Sequence, residues 1–249
     1  MGRFTDKVAI VTGAGSGIGR ATATRLGHEG GTVACLDLNG DAAEEVAAKV
    51  AADGGTARAW SCDVSDEASV DGAVSAVLAA FGDLDVLCNI AGVGRAHHSH
   101  ELPKADWDLM IGVNLTGTML MCRAALPSLI ERRGVIVNTA SSAGLIGQPY
   151  TAAYCASKGG VVLFTKALAV EYDHTGLRVN AIAPGMTQTR IIDDFGVPEG
   201  GDYKKIFSII PVQGACAPEE IAGLFAYIAS DEARNMTGSI VPLDGGITA

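Results

Sequence analysis

The chain is poor in aromatic and charged residues and has no long uninterrupted apolar run. Of its 249 residues, 5% are aromatic and 18% are charged. No apolar run is long enough to span a bilayer, so a membrane partner is not expected. Positive charge is in the minority, with 18 Lys and Arg against 28 Asp and Glu, a formal net charge of −10. An acidic surface repels phosphate backbones, which argues against nucleic acid as a partner. The six cysteines include no CxxC pair, so neither a zinc site nor a thioredoxin-like site is suggested. Cys35, Cys62 and Cys88 fall inside apolar runs, where cysteine acts as a small buried hydrophobe, and a reducing, cytoplasmic setting fits. The N-terminal segment Met1–Asp6 has no apolar signal core, and Asp6 stands where a myristoylation signal needs Ser or Thr.

What the chain does have is 48% hydrophobic residues, 32 glycines and abundant alanine. That composition suits a core of small aliphatic contacts between closely packed helices and strands. Short apolar runs occur at Val8–Val11, Thr32–Leu36, Ala57–Trp60 (the weakest), Val86–Cys88, Val135–Val137, Val179–Ala183 and Ile240–Leu243. Each is too short for a helix and is bounded by turn residues, as expected of buried strands. Between them lie helical periodicities: Val70, Val74, Val77, Leu78, Phe81; then Trp107, Met110, Ile111, Leu115, Met119; then Ile221, Leu224, Phe225, Ile228 behind the helix-starting Pro218-Glu219-Glu220. Alternating strand and helix predicts an α/β fold, a parallel sheet covered on both faces. No linker or repeat divides the chain, which predicts one domain over 1–249. The stretch at about 185–217 is rich in Gly and Pro with weak periodicity, as in a substrate lid. Ile206, Phe207, Ile209 and Ile210 offer it apolar surface, and Tyr203 could add a hydroxyl.

The first apolar run leads into Gly13-Ala14-Gly15-Ser16-Gly17-Ile18-Gly19 and then a helix. A strand turning sharply into a helix presents free amides and the positive end of the helix dipole, which attract a pyrophosphate. Ile18 stands where a G-x-G-x-x-G pattern would have its third glycine, so the loop alone is also compatible with an ordinary glycine-rich turn. The second run ends at Asp37, 18 residues beyond Gly19, near the place of the acid that holds an adenosine ribose. A carboxylate there would also repel a 2′-phosphate, and neither Ser16, Leu38 nor Asn39 brings positive charge, so NAD is favoured over NADP. Asp63, followed by Val64, ends the third run and could face an adenine or cap the next helix. The fourth run ends Asn89-Ile90-Ala91-Gly92, whose small residues would let backbone pass close to a flat cofactor.

Tyr154 and Lys158 are four apart in a stretch that becomes helical through Val161, Leu163, Leu168 and Tyr172, so they share a face. An ammonium beside a phenol lowers the phenol's pKa from about 10, which would suit it to acid–base work near neutral pH. A Y-x-x-x-K pattern is short and common; position gives it weight. Ser141 lies thirteen residues before Tyr154, just after the fifth strand, where ligands sit in parallel sheets. A polar loop would also account for Ser141 and Ser142. Asn114 sits mid-helix, either as a hydrogen-bonded core residue or as an amide holding water near Lys158. His97, His98 and His100 lie close together, but no carboxylate or cysteine stands at helical ligand spacing, and a solvated loop or a substrate-pocket rim is expected rather than a metal.

Together these residues resemble the short-chain dehydrogenase/reductase family over essentially the whole chain. The resemblance rests on Thr12–Gly19, Asp63-Val64, Asn89-Ile90-Ala91-Gly92, Asn114, Ser141, Tyr154, Lys158, Pro184-Gly185-Met186-Thr187-Gln188-Thr189 and Asp244-Gly245-Gly246. It implies a Rossmann-like doubly wound fold with a seven-stranded parallel sheet and a nicotinamide cofactor. It implies Tyr154 as acid/base, Lys158 lowering its pKa and holding the nicotinamide ribose, Ser141 orienting the reacting oxygen, and Asn114 supporting a relay water. Pro184, Gly185, Thr187 and Thr189 would lie along the nicotinamide side. Family members commonly form homotetramers. Where the family usually has two adjacent Asn, this chain has Asn89-Ile90, so a side-chain contact is not expected at 90. The expected reaction is hydride transfer between NAD(H) and a secondary alcohol or ketone; an apolar lid suits a hydrophobic or cyclic one, with sugars also open. The alternatives are an NADP-dependent 3-ketoacyl reductase, against which Asp37 argues, and a non-catalytic dinucleotide sensor, which would need no proton donor.

Overall fold

The structure is a computed structural model that describes residues 2–192, 195–207, 210–211 and 214–249. Seven strands form one parallel sheet: β1 Val8–Thr12, β2 Thr32–Asp37, β3 Thr56–Ser61, β4 Val86–Asn89, β5 Val135–Thr139, β6 Arg178–Pro184 and β7 Ile240–Leu243. Their order is β3-β2-β1-β4-β5-β6-β7. The central strands are buried on both faces, which is why they read as unbroken apolar runs. The third run is weak because β3 lies at the edge and alternates between exposed and half-buried residues.

Eight α-helices occur among the described residues: α1 Gly17–His28, α2 Gly40–Ala52, α3 Glu67–Phe81, α4 Lys104–Met110, α5 Gly117–Arg132, α6 Ala152–Glu171, α7 Tyr203–Phe207 and α8 Pro218–Ala229. One face of the sheet packs Val11, Val33, Cys35, Val137 and Ile182 against Leu26, Val46, Ile221 and Phe225 of α1, α2 and α8. The other packs Ile10, Leu36, Leu87 and Ile136 against Val70, Val77, Met121, Leu129 and Leu168 of α3, α5 and α6. Alternate strand residues thus feed opposite layers, as a doubly wound Rossmann-like sheet requires.

Two details depart from the sequence reading. Residues Ile111–Thr116, between α4 and α5, form a π-helical stretch. The continuous helix Lys104–Arg132 is also long and apolar enough, by length and composition, to cross a membrane. No apolar run announced it because charges such as Arg123 and Glu131 and a proline, Pro127, interrupt it. Its residues Leu120, Met121, Cys122, Ala125 and Leu129 are core contacts, as in a helix that covers a sheet.

The chain leaves β1 toward β2 on one side and returns through β4 on the other. A crevice therefore opens at the carboxyl ends of β1 and β4, the topological switch point where ligands bind in such sheets. Thr12 ties its two walls together: its Oγ1 accepts from the amides of Ile90 (2.9 Å) and Ala91 (3.1 Å).

Candidate active site

A cavity of about 590 Å³ runs along the carboxyl ends of the strands. At one end it is lined by Gly13, Ser16, Gly17, Ile18 and Gly19, and by Asp37, Leu38, Asp63 and Val64. Gly17 has φ +49° and starts α1, whose first turn carries no acidic residue. A methyl group on Gly19 would lie 2.0 Å from the Gly13 carbonyl oxygen, so only glycine lets α1 start this close to the turn. The glycine positions are therefore fixed by contact, despite the departure from G-x-G-x-x-G spacing. Free amides, the dipole and a first turn without an acidic residue fit a bound pyrophosphate.

Asp37 accepts from the Gly15 amide (2.9 Å) through Oδ2 and from the Asn39 amide (2.9 Å) through Oδ1. Each carboxylate oxygen keeps a lone pair for a ribose hydroxyl. Leu38, 72% exposed on the cavity rim, offers an apolar face beside it. Asp63 does not cap the following helix. It accepts from the amide and hydroxyl of Ser65, while Asp66 caps α3 by accepting from the Ser69 amide.

The middle of the cavity is formed by Ala91 and Gly92 on one side and by Pro184, Gly185, Thr187 and Thr189 on the other. The Thr189 methyl comes within 3.0 Å of where a Cβ on Gly17 would be, so the segment after β6 reaches across to the glycine turn. Asn89 is placed elsewhere, correcting its expected cofactor contact. Its side chain is buried and donates to Asn138 Oδ1 (2.9 Å) and Cys122 Sγ (3.3 Å), and its carbonyl accepts from Thr139 Oγ1 (2.6 Å). It fastens β4 to β5 from inside the sheet. Asn138 and Thr165, which continue this network at 3.0 Å, had no distinguishing signal in the sequence.

At the far end stand Ser141, Tyr154 and Lys158. Ser141 follows β5 in extended backbone, accepts from the Ala143 amide (3.2 Å) and hydrogen-bonds the Tyr154 phenol. Lys158, fully in the interior, donates to the Thr139 carbonyl (2.8 Å), with Nζ 5.9 Å from the Tyr154 ring centroid. The expected lowering of the phenol's pKa is reversed in the protein alone. Burial pushes Tyr154 up to about 12, against a smaller lowering by Ser141. Burial likewise pushes Lys158 down to about 8. At this separation desolvation outweighs the attraction between the two groups.

Asn114 lies within the π-helical stretch and is fully buried. Its Oδ1 accepts from the Val93 amide (2.8 Å), and its Nδ2 donates to the Val93 carbonyl (2.9 Å) and Ser157 Oγ (3.0 Å). A methyl on Gly92 would meet both Asn114 Oδ1 (3.2 Å) and Lys158 Nζ (3.5 Å), so the two groups flank one small space.

The lid expectation fares unevenly. Ile206 lines the cavity, but Tyr203 is 67% exposed and points no hydroxyl into it, and Ile210 is exposed. Ile209 lies outside the described residues. Beside Tyr154, it is Tyr150 that lines this end, and its hydroxyl accepts from the Asp202 amide (2.6 Å). Two further side chains line this end, both within the stretches 143–150 and 185–217 that the sequence places along the pocket wall. Gln148 donates to Ser142 Oγ (3.0 Å), and Phe195 packs on Tyr154. The histidines diverge: His97 pairs with Asp106 (2.7 Å), and His98 reaches the Glu199 carbonyl (3.0 Å) and the Tyr150 ring. Among the described residues no group of three His, Cys, Asp or Glu could hold a metal.

Comparison with known proteins agrees with this geometry. A family profile described as enoyl-(acyl carrier protein) reductase matches residues 13–248. The D-threitol dehydrogenase of Mycolicibacterium smegmatis is 43% identical over 248 residues, spanning 99% of this chain and 94% of its own. The meso-2,3-butanediol dehydrogenase of Serratia marcescens is 39% identical over 247 residues, spanning 99% and 96%. The crystal structure of a short-chain type dehydrogenase/reductase from Mycobacterium marinum superposes with a TM-score of 0.90 at 33% identity, covering 99% and 97% of the two chains. Two dehydrogenases aligned nearly end to end and a shared fold at that identity lead to one conclusion: the chain belongs to the short-chain dehydrogenase/reductase family.

Proposed function

We propose that this oxidoreductase of CH–OH groups oxidises a small secondary alcohol to its ketone, reversibly, with NAD. The observation that carries the reading is the convergence of Ser141, Tyr154 and Lys158 at one end of a cavity that holds Asp37 and the phosphate turn at the other. When bound, the nicotinamide would supply the acceptor for the hydride of the carbinol carbon. Tyr154 takes the hydroxyl proton during oxidation and returns it during reduction. Ser141 holds the same oxygen and steadies its developing charge. Lys158 binds the nicotinamide ribose, and its charge together with that of the oxidised ring offsets the burial that raises the phenol's pKa. Asn114 holds the Val93 backbone and supports a relay water beside Lys158. Gly13, Ser16, Gly17, Ile18 and Gly19 cradle the pyrophosphate, Asp37 the adenosine ribose, and Asp63 and Val64 the adenine. Ala91, Gly92, Pro184, Gly185, Thr187 and Thr189 border the nicotinamide half.

The Gln148–Ser142 pair gives the substrate end a second polar anchor, which favours an alcohol carrying another hydroxyl nearby. The names of the threitol and butanediol relatives support the same class. Residues 1–249 act as one catalytic unit, with the segment 185–217 covering the substrate. The protein works as a homotetramer in the cytoplasm, a setting consistent with six free cysteines. NADH formation across a panel of vicinal diols and simple secondary alcohols tests the reading. A Tyr154→Phe variant should bind NADH normally and lose about 10²- to 10⁴-fold in turnover. Unimpaired turnover by that variant would refute it.

A further inference from the structure

Phe195 stands beside the reacting phenol. It follows the turn Arg190–Ile192, its amide donates to the Ile192 carbonyl (3.1 Å), and its ring meets the Tyr154 ring edge to face, with centroids 4.9 Å apart. The tip of the ring sits directly over Gly94. A Cβ at that glycine would lie 2.1 Å from Cζ, 2.5 Å from Cε2 and 2.9 Å from Cε1. Gly94 is not among the glycines with positive φ, so its backbone does not demand glycine. What demands it is the ring that fills the place of its side chain. Gly94 is accordingly buried although it lies in a loop without regular structure. The notch therefore fixes the ring as a wall of the cavity next to Tyr154 and Ser141.

We infer that Phe195, seated in the Gly94 notch, is a specificity-determining residue that restricts the enzyme to alcohols with small substituents on the carbon facing Tyr154. The inference rests on the dehydrogenase reading above and names which residue sets its substrate size. A methyl or hydroxymethyl group fits beside the ring, whereas an aryl group or a fused carbocycle needs the volume the ring occupies. A wall differing by several carbons separates substrates by about tenfold or more, because each methylene in an apolar pocket is worth about 10- to 200-fold.

The test uses the intact enzyme with NAD and compares kcat/KM for 2,3-butanediol with that for 1-phenylethanol. Phe195→Ala should raise the bulky-to-small ratio by about tenfold or more while leaving the KM for NAD unchanged. Gly94→Ala should displace the ring and cut kcat/KM for the diol by about tenfold. Adding Phe195→Ala to Gly94→Ala should restore the Phe195→Ala behaviour, because no ring remains to clash. An active enzyme whose ratio stays within about twofold in Phe195→Ala overturns the assignment alone. So does a Gly94→Ala defect of equal size with and without the ring. Failure of the unaltered enzyme to oxidise any secondary alcohol overturns both this inference and the dehydrogenase reading.

Discussion

Burying Lys158 costs the fold stability: the residue is 3% exposed, and burial brings its pKa from 10.5 down to about 8. The unfolded chain therefore binds more protons than the folded one between about pH 8 and 10.5, and stability rises with pH across that window. At pH 7 both states are protonated and the cost of burying the charge, up to about 3 kcal/mol, is fully present. Lys158→Met should relieve it, less about 1 kcal/mol for the hydrogen bond to Thr139. Differential scanning fluorimetry should show the variant melting a few degrees above the parent at pH 7 and the gap closing by about pH 9.5, although activity is lost. A variant less stable at every pH would contradict this account. Asp37 offers a second test at this scale. Asp37→Asn keeps an acceptor for only one of the Gly15 and Asn39 amides and removes the charge, so NADH-over-NADPH discrimination in fluorescence titrations should fall by about tenfold. Unchanged discrimination would move the cofactor determinant elsewhere.

At the scale of elements, the site depends on how the ends of β1, β4 and β5 are fastened. Thr12 Oγ1 holds two amides just beyond β4, and Thr139 Oγ1 holds the Asn89 carbonyl. Thr12→Val preserves shape but strands two half-buried amides, which should cost about 2 kcal/mol and raise the Kd for NADH several-fold. Chemical denaturation and calorimetric titration would report both, and a variant that loses neither would show that the crevice holds without the clamp. The strands and most helices were legible in the sequence because their apolar periodicities depend on local spacing. The π-helical stretch at Ile111–Thr116 was not. Its composition is that of an ordinary helix, and the contacts that accompany it, from Asn114 to Val93 and Ser157, join residues far apart in sequence.

For the whole molecule, α6 presents Leu163 and Val170 at 69% and 74% exposure, seven residues apart and so on one face. The other face of that helix carries Lys158, Val161 and Leu168 into the site and the core. An apolar outer stripe on the helix that holds the active site suits burial against another copy. For the proposed homotetramer, Leu163→Glu combined with Val170→Glu should give a smaller species than the parent by light scattering. If the mass is unchanged, the interface lies on another surface.

By itself the sequence determined the alternating sheet, the glycine turn after β1 and the candidate positions of Ser141, Tyr154, Lys158 and Asp37, because these follow from residue type and local spacing. Tertiary structure decided what depends on distant neighbours. It turned Asn89 inward to Asn138, left Tyr203 in solvent while Tyr150 lined the cavity, and seated Phe195 over Gly94. It also raised the Tyr154 pKa where the Y-x-x-x-K spacing predicted lowering. Desolvation is set by everything that packs around a group, whereas sequence spacing reports only the charge four residues away.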